Sequence, residues 1–219
     1  MGIFRKQALI LLAFLAVSGS ATADNNIWLG VKAGTLGIGL EATWRPIEWV
    51  DLRLGGNVYD YSETGAQAGI NYDATLELKT YYATANFRFP LNPFRITAGL
   101  YSNSNEIKMV SVDTPTFDIG GTTYTSTEVG TLTSTTSWDS TSPYFGAGFD
   151  FELFGKVGMT FDFGVLWQGD PKVSLGATGT LAAAQSFLDD LAVERAELAD
   201  EVDVLKAYPV VSLGFNFNF

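Results

Sequence analysis

The residues of this 219-residue chain that could do chemistry are its charges, and they recur at a fixed spacing. In "FDFEL", Asp150 and Glu152 stand two residues apart, and Asp162 follows in "FDFG" within the same aromatic frame. Two carboxylates at that spacing share one face of an extended strand, where they could act as a general acid and base. The alternative is that they are structural charges answered by arginines on neighbouring strands. The sequence contains no His and no Cys, which removes imidazole bases, thiol nucleophiles and disulfides together. "GTLGIG" carries Gly34, Gly37 and Gly39, but these sit in a tight turn between two strands and not before a helix, so a phosphate loop is excluded. No acidic run follows the spacing of a calcium loop. Neither a metal nor a cofactor is therefore expected.

The first 23 residues read as a secretory leader: Arg5 and Lys6, then the apolar run Ala8 to Val17, then Ala21, Thr22 and Ala23. That run is too short for the roughly 20 residues a spanning helix needs. Residues 24–219 then form one domain, with 11 basic residues against 24 acidic ones, a net of −13. Such a balance argues against nucleic acid as a partner.

The charges are positioned by segments that alternate with a period of two. "VSLGFNFNF" sets Val211, Leu213, Phe215, Phe217 and Phe219 against Ser212, Gly214, Asn216 and Asn218. "VGMTFDFGVLWQ" does the same from Val157, with Leu166 as a single misfit, and "YFGAGFDFEL" and "FRITAGLYSN" follow suit. Upstream, "IWLGVKAG", "IGLEATWR", "VDLRLGGNVY" and "LKTYYATANFRF" repeat the pattern. In the last of these the phase slips before Tyr81, as it would at a bulge or where a strand has left the membrane. Strict alternation over eight or more residues predicts strands with one apolar and one polar face. Eight such strands, joined alternately by short turns and long loops except at "GTLG", which is short where a long loop is due, predict an all-β fold: an eight-stranded antiparallel transmembrane β-barrel, with both termini on the periplasmic side of the outer membrane.

A soluble ligand-carrying barrel would alternate too, so the polar face decides. Here it is rich in Gly, and its charges balance: Lys32, Arg45, Arg53, Arg88 and Arg95 against Glu41, Asp51, Asp150, Glu152 and Asp162. A narrow interior demands that neutrality, because an unpaired buried charge costs several kcal/mol. An ion-paired neighbourhood of Arg53, Glu41 and Asp162 is expected near mid-height. Trp44, Trp49 and Trp167 fall where interfacial girdles would stand.

Two loops are elaborate. Residues 109–142 are crowded with Thr and Ser, and Gly120 with Gly121 predicts a small β-hairpin. Residues 181–206 contain no Gly or Pro and predict an amphipathic helix, N-capped by Thr180, with an apolar stripe including Leu188, Leu191, Leu198 and Val202. Its polar face holds Asp189, Asp190, Glu194, Glu197, Asp200, Glu201 and Asp203 against Arg195 and Lys206. The stripe either covers loop residues over the barrel mouth or pairs with a partner protein.

The phrases "GTLGIGLEATWR", "RLGGNVYDYS", "FRITAGLYSN", "DFGVLWQGDPKVSLGATG" and "YPVVSLGFNFNF", in that order around an acidic helix, resemble a functionally uncharacterised family of small Gram-negative outer-membrane β-barrels. The resemblance implies fold and location and carries over no catalytic residue. The terminal Phe219 likewise resembles the aromatic signal that barrel-assembly machinery reads. Outer-membrane lipid and lipopolysaccharide are the implied surroundings. Barrel enzymes of the lipid A-modifying or proteolytic kind rely on His with Ser or Asp, so an enzyme is not expected. A structural or surface-interaction barrel with a plugged, charge-balanced lumen is expected. The alternative is a barrel that transports small hydrophobic compounds, which would need an apolar upper pocket drawn from Trp28, Tyr59, Tyr82, Tyr101, Tyr144 and Leu166.

Overall fold

The computed structural model describes residues 26–67, 70–153 and 156–218. The leader, residues 1–23, and Phe219 lie outside the described residues. In chain order the strands are β1 (Ile27–Gly34), β2 (Gly37–Ile47), β3 (Val50–Gln67), β4 (Ile70–Arg88), β5 (Phe94–Asn103), β6 (Glu106–Ser111), β7 (Thr116–Ile119), β8 (Thr122–Thr125), β9 (Leu132–Ser137), β10 (Thr141–Leu153), β11 (Val157–Trp167), β12 (Lys172–Ala177) and β13 (Ala207–Asn218). A single-turn helix α1 (Ser126–Val129), a longer helix α2 (Gln185–Glu201) and a 3-10 turn (Asp203–Lys206) complete the elements.

Eight strands close on themselves in the order β1, β2, β3, β4, β5, β10, β11, β13 and back to β1, every neighbour antiparallel. Closure pairs every strand edge, which a spanning sheet requires because hydrocarbon offers no hydrogen-bond partner. The register sends the apolar phase outward: Val211, Leu213, Phe215 and Phe217 are exposed, while Ser212 and Gly214 between them are buried. Trp44, Trp49 and Trp167 also stand on the outside.

The phase slip before Tyr81 marks a change of partner and not a bulge. β3 and β4 pair without interruption from Val50↔Phe87 to Gln67↔Ile70. β4 pairs with β5 over Thr80 to Arg88, and with β6 over Tyr72 to Glu77. The β3–β4 hairpin thus rises past the barrel, where β6, β9 and β12 extend the same sheet from the edge of β4. On that extension Leu78 takes the inner face and is buried, so one strand uses its inward phase for polar groups below and apolar groups above.

A separate hydrophobic core sits on this extension, built from Phe117, Ile119, Tyr124, Val129, Leu132, Phe187 and Leu191. The β7–β8 hairpin turns through Gly120 (φ 56°) and Gly121 (φ 82°), the double left-handed conformation of a two-residue turn. Gly120 also lies against the α2 backbone: a Cβ there would meet Asp190 O at 2.7 Å, and its N–H donates to Glu194 Oε2 at 3.2 Å. Tyr124 donates its hydroxyl to Asp190 Oδ2 at 2.6 Å, so hairpin and helix are held by both apolar and polar contacts.

The helix is shorter than its periodicity suggests. It begins at Gln185 after Ala184, which makes no side-chain cap, and Thr180 does not cap it. The N–H groups of Gly179 and Leu181 donate to Val129 O and Glu128 O at 2.7 and 3.0 Å. Those bonds tie residues 178–181 to α1 and leave the segment unable to enter the helix. The buried face is also rotated from the expected stripe. Phe187 and Leu191 point into the core, Leu198 and Val202 are half-buried, and Leu188 is exposed. Leu191 therefore packs within the chain and is not free to meet a partner.

Replacing Phe187 by Ala should cost this cap about 3–5 kcal/mol. The expected outcome is faster proteolysis within residues 111–206, with the heat-dependent gel shift of the barrel retained. Loss of that gel shift would show that cap and barrel fold as one unit.

Candidate functional site

All ten charges expected on the inward face are joined in one network, nine of them buried or half-buried and Glu152 exposed at the short-turn rim. Nearest the short turns, Arg45 bonds Asp51 at 2.9 Å and Glu152 at 2.8 Å, and Arg88 reaches Asp51, Asp150 and Glu152 at 3.3–3.4 Å. Above them Arg95 is wholly buried. Its Nε donates to Asp150 at 2.8 Å, Nη1 to Thr97 at 2.7 Å and Asn86 at 3.2 Å, and Nη2 to Asp162. Arg53 joins Asp150 at 3.2 Å and both Glu41 and Asp162 at 3.5 Å, which is the expected mid-height neighbourhood. Lys32 sits 3.7 Å from Glu41 with its ammonium 4.0 Å above the Tyr82 ring.

Sequence reasoning placed Arg53 at the centre, yet the most enclosed guanidinium belongs to Arg95. The local reason is Gly148, which faces Arg95 across β5 and β10. A Cβ at Gly148 would lie 2.9 Å from the Arg95 Cζ, so the glycine supplies the space that the guanidinium fills.

Over the charges lies an aromatic layer. Tyr82 and Tyr101 stack with centroids 4.8 Å apart, and Tyr144 stands 5.3 Å from Tyr101. Leu36, Leu166 and Val210 complete it. Leu166, the misfit in its strand's alternation, is inward and fully buried. Leu36 was not singled out; it comes from the short β1–β2 turn, which bends over the mouth. Tyr82 links the two layers by donating to Glu41 Oε2 at 2.7 Å. Trp28 and Tyr59 are not part of this layer. Trp28 lies under Arg45, 5.6 Å from ring centroid to guanidinium, and Tyr59 stacks on Tyr61 on the raised hairpin.

A polar lock follows. Gln168 is buried and accepts from Asn103 and Asn105 at 3.0 and 2.8 Å, while its amide donates to Leu205 O at 3.1 Å. It thereby joins barrel strands to the 3-10 turn after α2. Outside the barrel, Lys206 is pushed up to about 12 by hydrogen bonds to Asp203 and Asp170. Glu128 is held below the usual carboxylate range because the Thr125 N–H and hydroxyl both donate to it at 2.7 Å. Burial, with the Glu194 charge, raises Tyr72 to about 12.

Two voids of about 10 Å³ each lie in the lumen, one lined by Arg45, Arg88 and Asn216, the other by Lys32, Tyr82 and Tyr144; Arg53 lines both. Each has room for about one water. Among the described residues, no group of three or more His, Cys, Asp or Glu is placed to hold a metal ion.

No protein-family model matches this chain, and no curated protein matches it. Among solved structures, Acinetobacter baumannii CarO2 is similar with a TM-score of 0.60 and 24% identity, over 88% of this chain and 98% of that one. Acinetobacter baumannii CarO gives 0.57 and 23% over 90% and 98%. At those identities the likeness is one of fold.

Removing one partner of a buried ion pair leaves an uncompensated charge, so Arg95→Met should destabilise the barrel by about 3–5 kcal/mol. Adding Asp162→Asn to it should recover part of that loss, as measured by urea unfolding in lipid vesicles. Strictly additive losses would show that the two residues are not coupled.

Proposed function

We propose that this chain is an integral outer-membrane barrel of structural or surface-interaction type, with a closed lumen, periplasmic termini and a folded cap carried outside the cell. The observation that carries this reading is the filled interior: ten paired charges, an aromatic layer and the Gln168 lock stand one above another, with water-sized voids beside the charges. Filling by side chains suits an eight-stranded barrel, whose interior has little more room than that.

Transport of small hydrophobic compounds finds less support. Tyr82, Tyr101, Tyr144 and Leu166 pack on one another and on Leu36, where an apolar pocket would have to open. Enzymatic use of Asp150 and Glu152 is also poorly supported, since Asp150 is shared among Arg53, Arg88 and Arg95 and Glu152 between Arg45 and Arg88. Lipid and lipopolysaccharide would surround the belt, and Phe219 would serve assembly. Any protein partner would meet the outward side of the helical segment, where Leu188 is exposed, because Leu191 is committed to the cap.

Two measurements test the reading. The mature protein should fractionate with outer membranes and migrate anomalously on gels when unheated. In planar bilayers the purified protein should give no steady ion conductance at neutral pH; sustained conductance would refute the closed lumen.

A further inference from the structure

A cleft lies at the short-turn end, at the edge of the lumen network. The β5–β10 ladder stops at Phe94↔Phe149, after which the Asp150 N–H donates to Pro93 O at 2.8 Å. β10 continues to Leu153 paired with β11 alone, while the chain before β5 turns away through Pro90 to Pro93. Between them opens a cleft of about 580 Å³. That volume is within the range of small-ligand sites.

Its walls and its floor differ in chemistry. Trp49, Phe89, Leu91, Phe151 and Leu153 form the walls, and all five are exposed. They continue an aromatic run along the outer face, Phe87 to Phe89 at 5.2 Å, Phe89 to Phe94 at 5.5 Å and Phe94 to Phe149 at 5.6 Å. The charged lining is Arg88 against Glu48, Asp150 and Glu152. The Arg88 guanidinium is already engaged by Asp51, Asp150 and Glu152. Glu48 is exposed and, among the described residues, has no hydrogen bond or ion pair. Asp150 and Glu152 are answered by the lumen arginines, so the charge left over at the cleft is Glu48, beside apolar walls that run on into the lipid-facing belt.

We propose that this cleft binds the ammonium-bearing headgroup of an aminophospholipid of the phosphatidylethanolamine class, its ammonium on Glu48 and its chains along the Phe89 and Phe151 walls. A site for a bare phosphate or an anionic headgroup would need the opposite charge balance. The proposal rests on the membrane placement above, because only then does the short-turn end lie at the headgroup level of the inner leaflet.

Native mass spectrometry of the folded, detergent-solubilised full-length protein tests it, with dioleoylphosphatidylethanolamine, dioleoylphosphatidylglycerol and soluble O-phosphoethanolamine as probes. One phosphatidylethanolamine should be retained about fivefold more tightly than phosphatidylglycerol, since the anionic headgroup is repelled by the Glu48 charge and the zwitterionic one is not. Glu48→Lys should abolish or invert that preference, whereas Glu106→Lys at the opposite end should not. Leu91→Gly keeps the left-handed backbone at that position (φ 60°) without strain and removes part of the wall, so it should weaken retention of the lipid severalfold. Equal retention of the two lipids, an unchanged preference in Glu48→Lys, or soluble phosphoethanolamine matching the lipid would each overturn the site. The heat-dependent gel shift, measured on every variant, reports folding separately. Fractionation of the protein away from outer membranes would defeat the placement instead, whatever the lipid preference.

Discussion

Arg95 cannot reach water, and much of the barrel interior follows from that. A guanidinium inside a low-dielectric wall is tolerable only when its donors and its charge are both answered. Asp150, Asp162, Asn86 and Thr97 answer them from four strands. Each of those groups has to face inward, which fixes the phase of β4, β5, β10 and β11, and a one-residue slip would turn the same groups toward lipid. Gly148 leaves the space, and Asp150 and Asp162 pass the charge on to Arg53, which in turn holds Glu41 and so Lys32. The network is therefore a register lock as well as a filler.

The barrel was legible in the sequence because its determinants are local. A period of two is visible in any ten residues, and inward charges can be summed without knowing which pairs form. What was not legible depends on height. Arg53 and Arg95 have the same period and the same face, and only the stagger between strands decides which one is enclosed. Leu166 is instructive here: as a break in the pattern it was visible, but its meaning appears only with Leu36 and the three tyrosines around it.

The cap was less legible for a related reason. Its core unites Phe117, Tyr124, Leu132 and Phe187, drawn from both long loops, and no local period predicts that meeting. Gly120 and Gly121 announced the hairpin correctly because turn chemistry is local. The helix start was misplaced because its competitor was remote, namely the carbonyls of Glu128 and Val129 that take the N–H groups of residues 179 and 181. A cleaner stripe was nevertheless available: Phe187, Leu191, Leu198 and Val202 recur at helical steps and describe the buried face better than one that includes Leu188.

The placement of charge ties the two halves together. Five bases and five acids fill the lumen, so the chain's acidic excess must lie elsewhere, and much of it lies on the raised sheet and helix. On the outer face of that sheet Asp60, Glu77 and Glu106 stand directly opposite one another across β3, β4 and β6. Like charges in such a row oppose each other by some tenths of a kcal/mol in water, where salt screens them. The same row inside the barrel would cost several kcal/mol per unpaired carboxylate. One pair of strands, β3 and β4, thus carries strictly compensated charge along its lower half and uncompensated charge along its upper half. The change falls where β4 leaves β5 for β6, so the end of the closed barrel coincides with the point at which the chain stops pairing its charges.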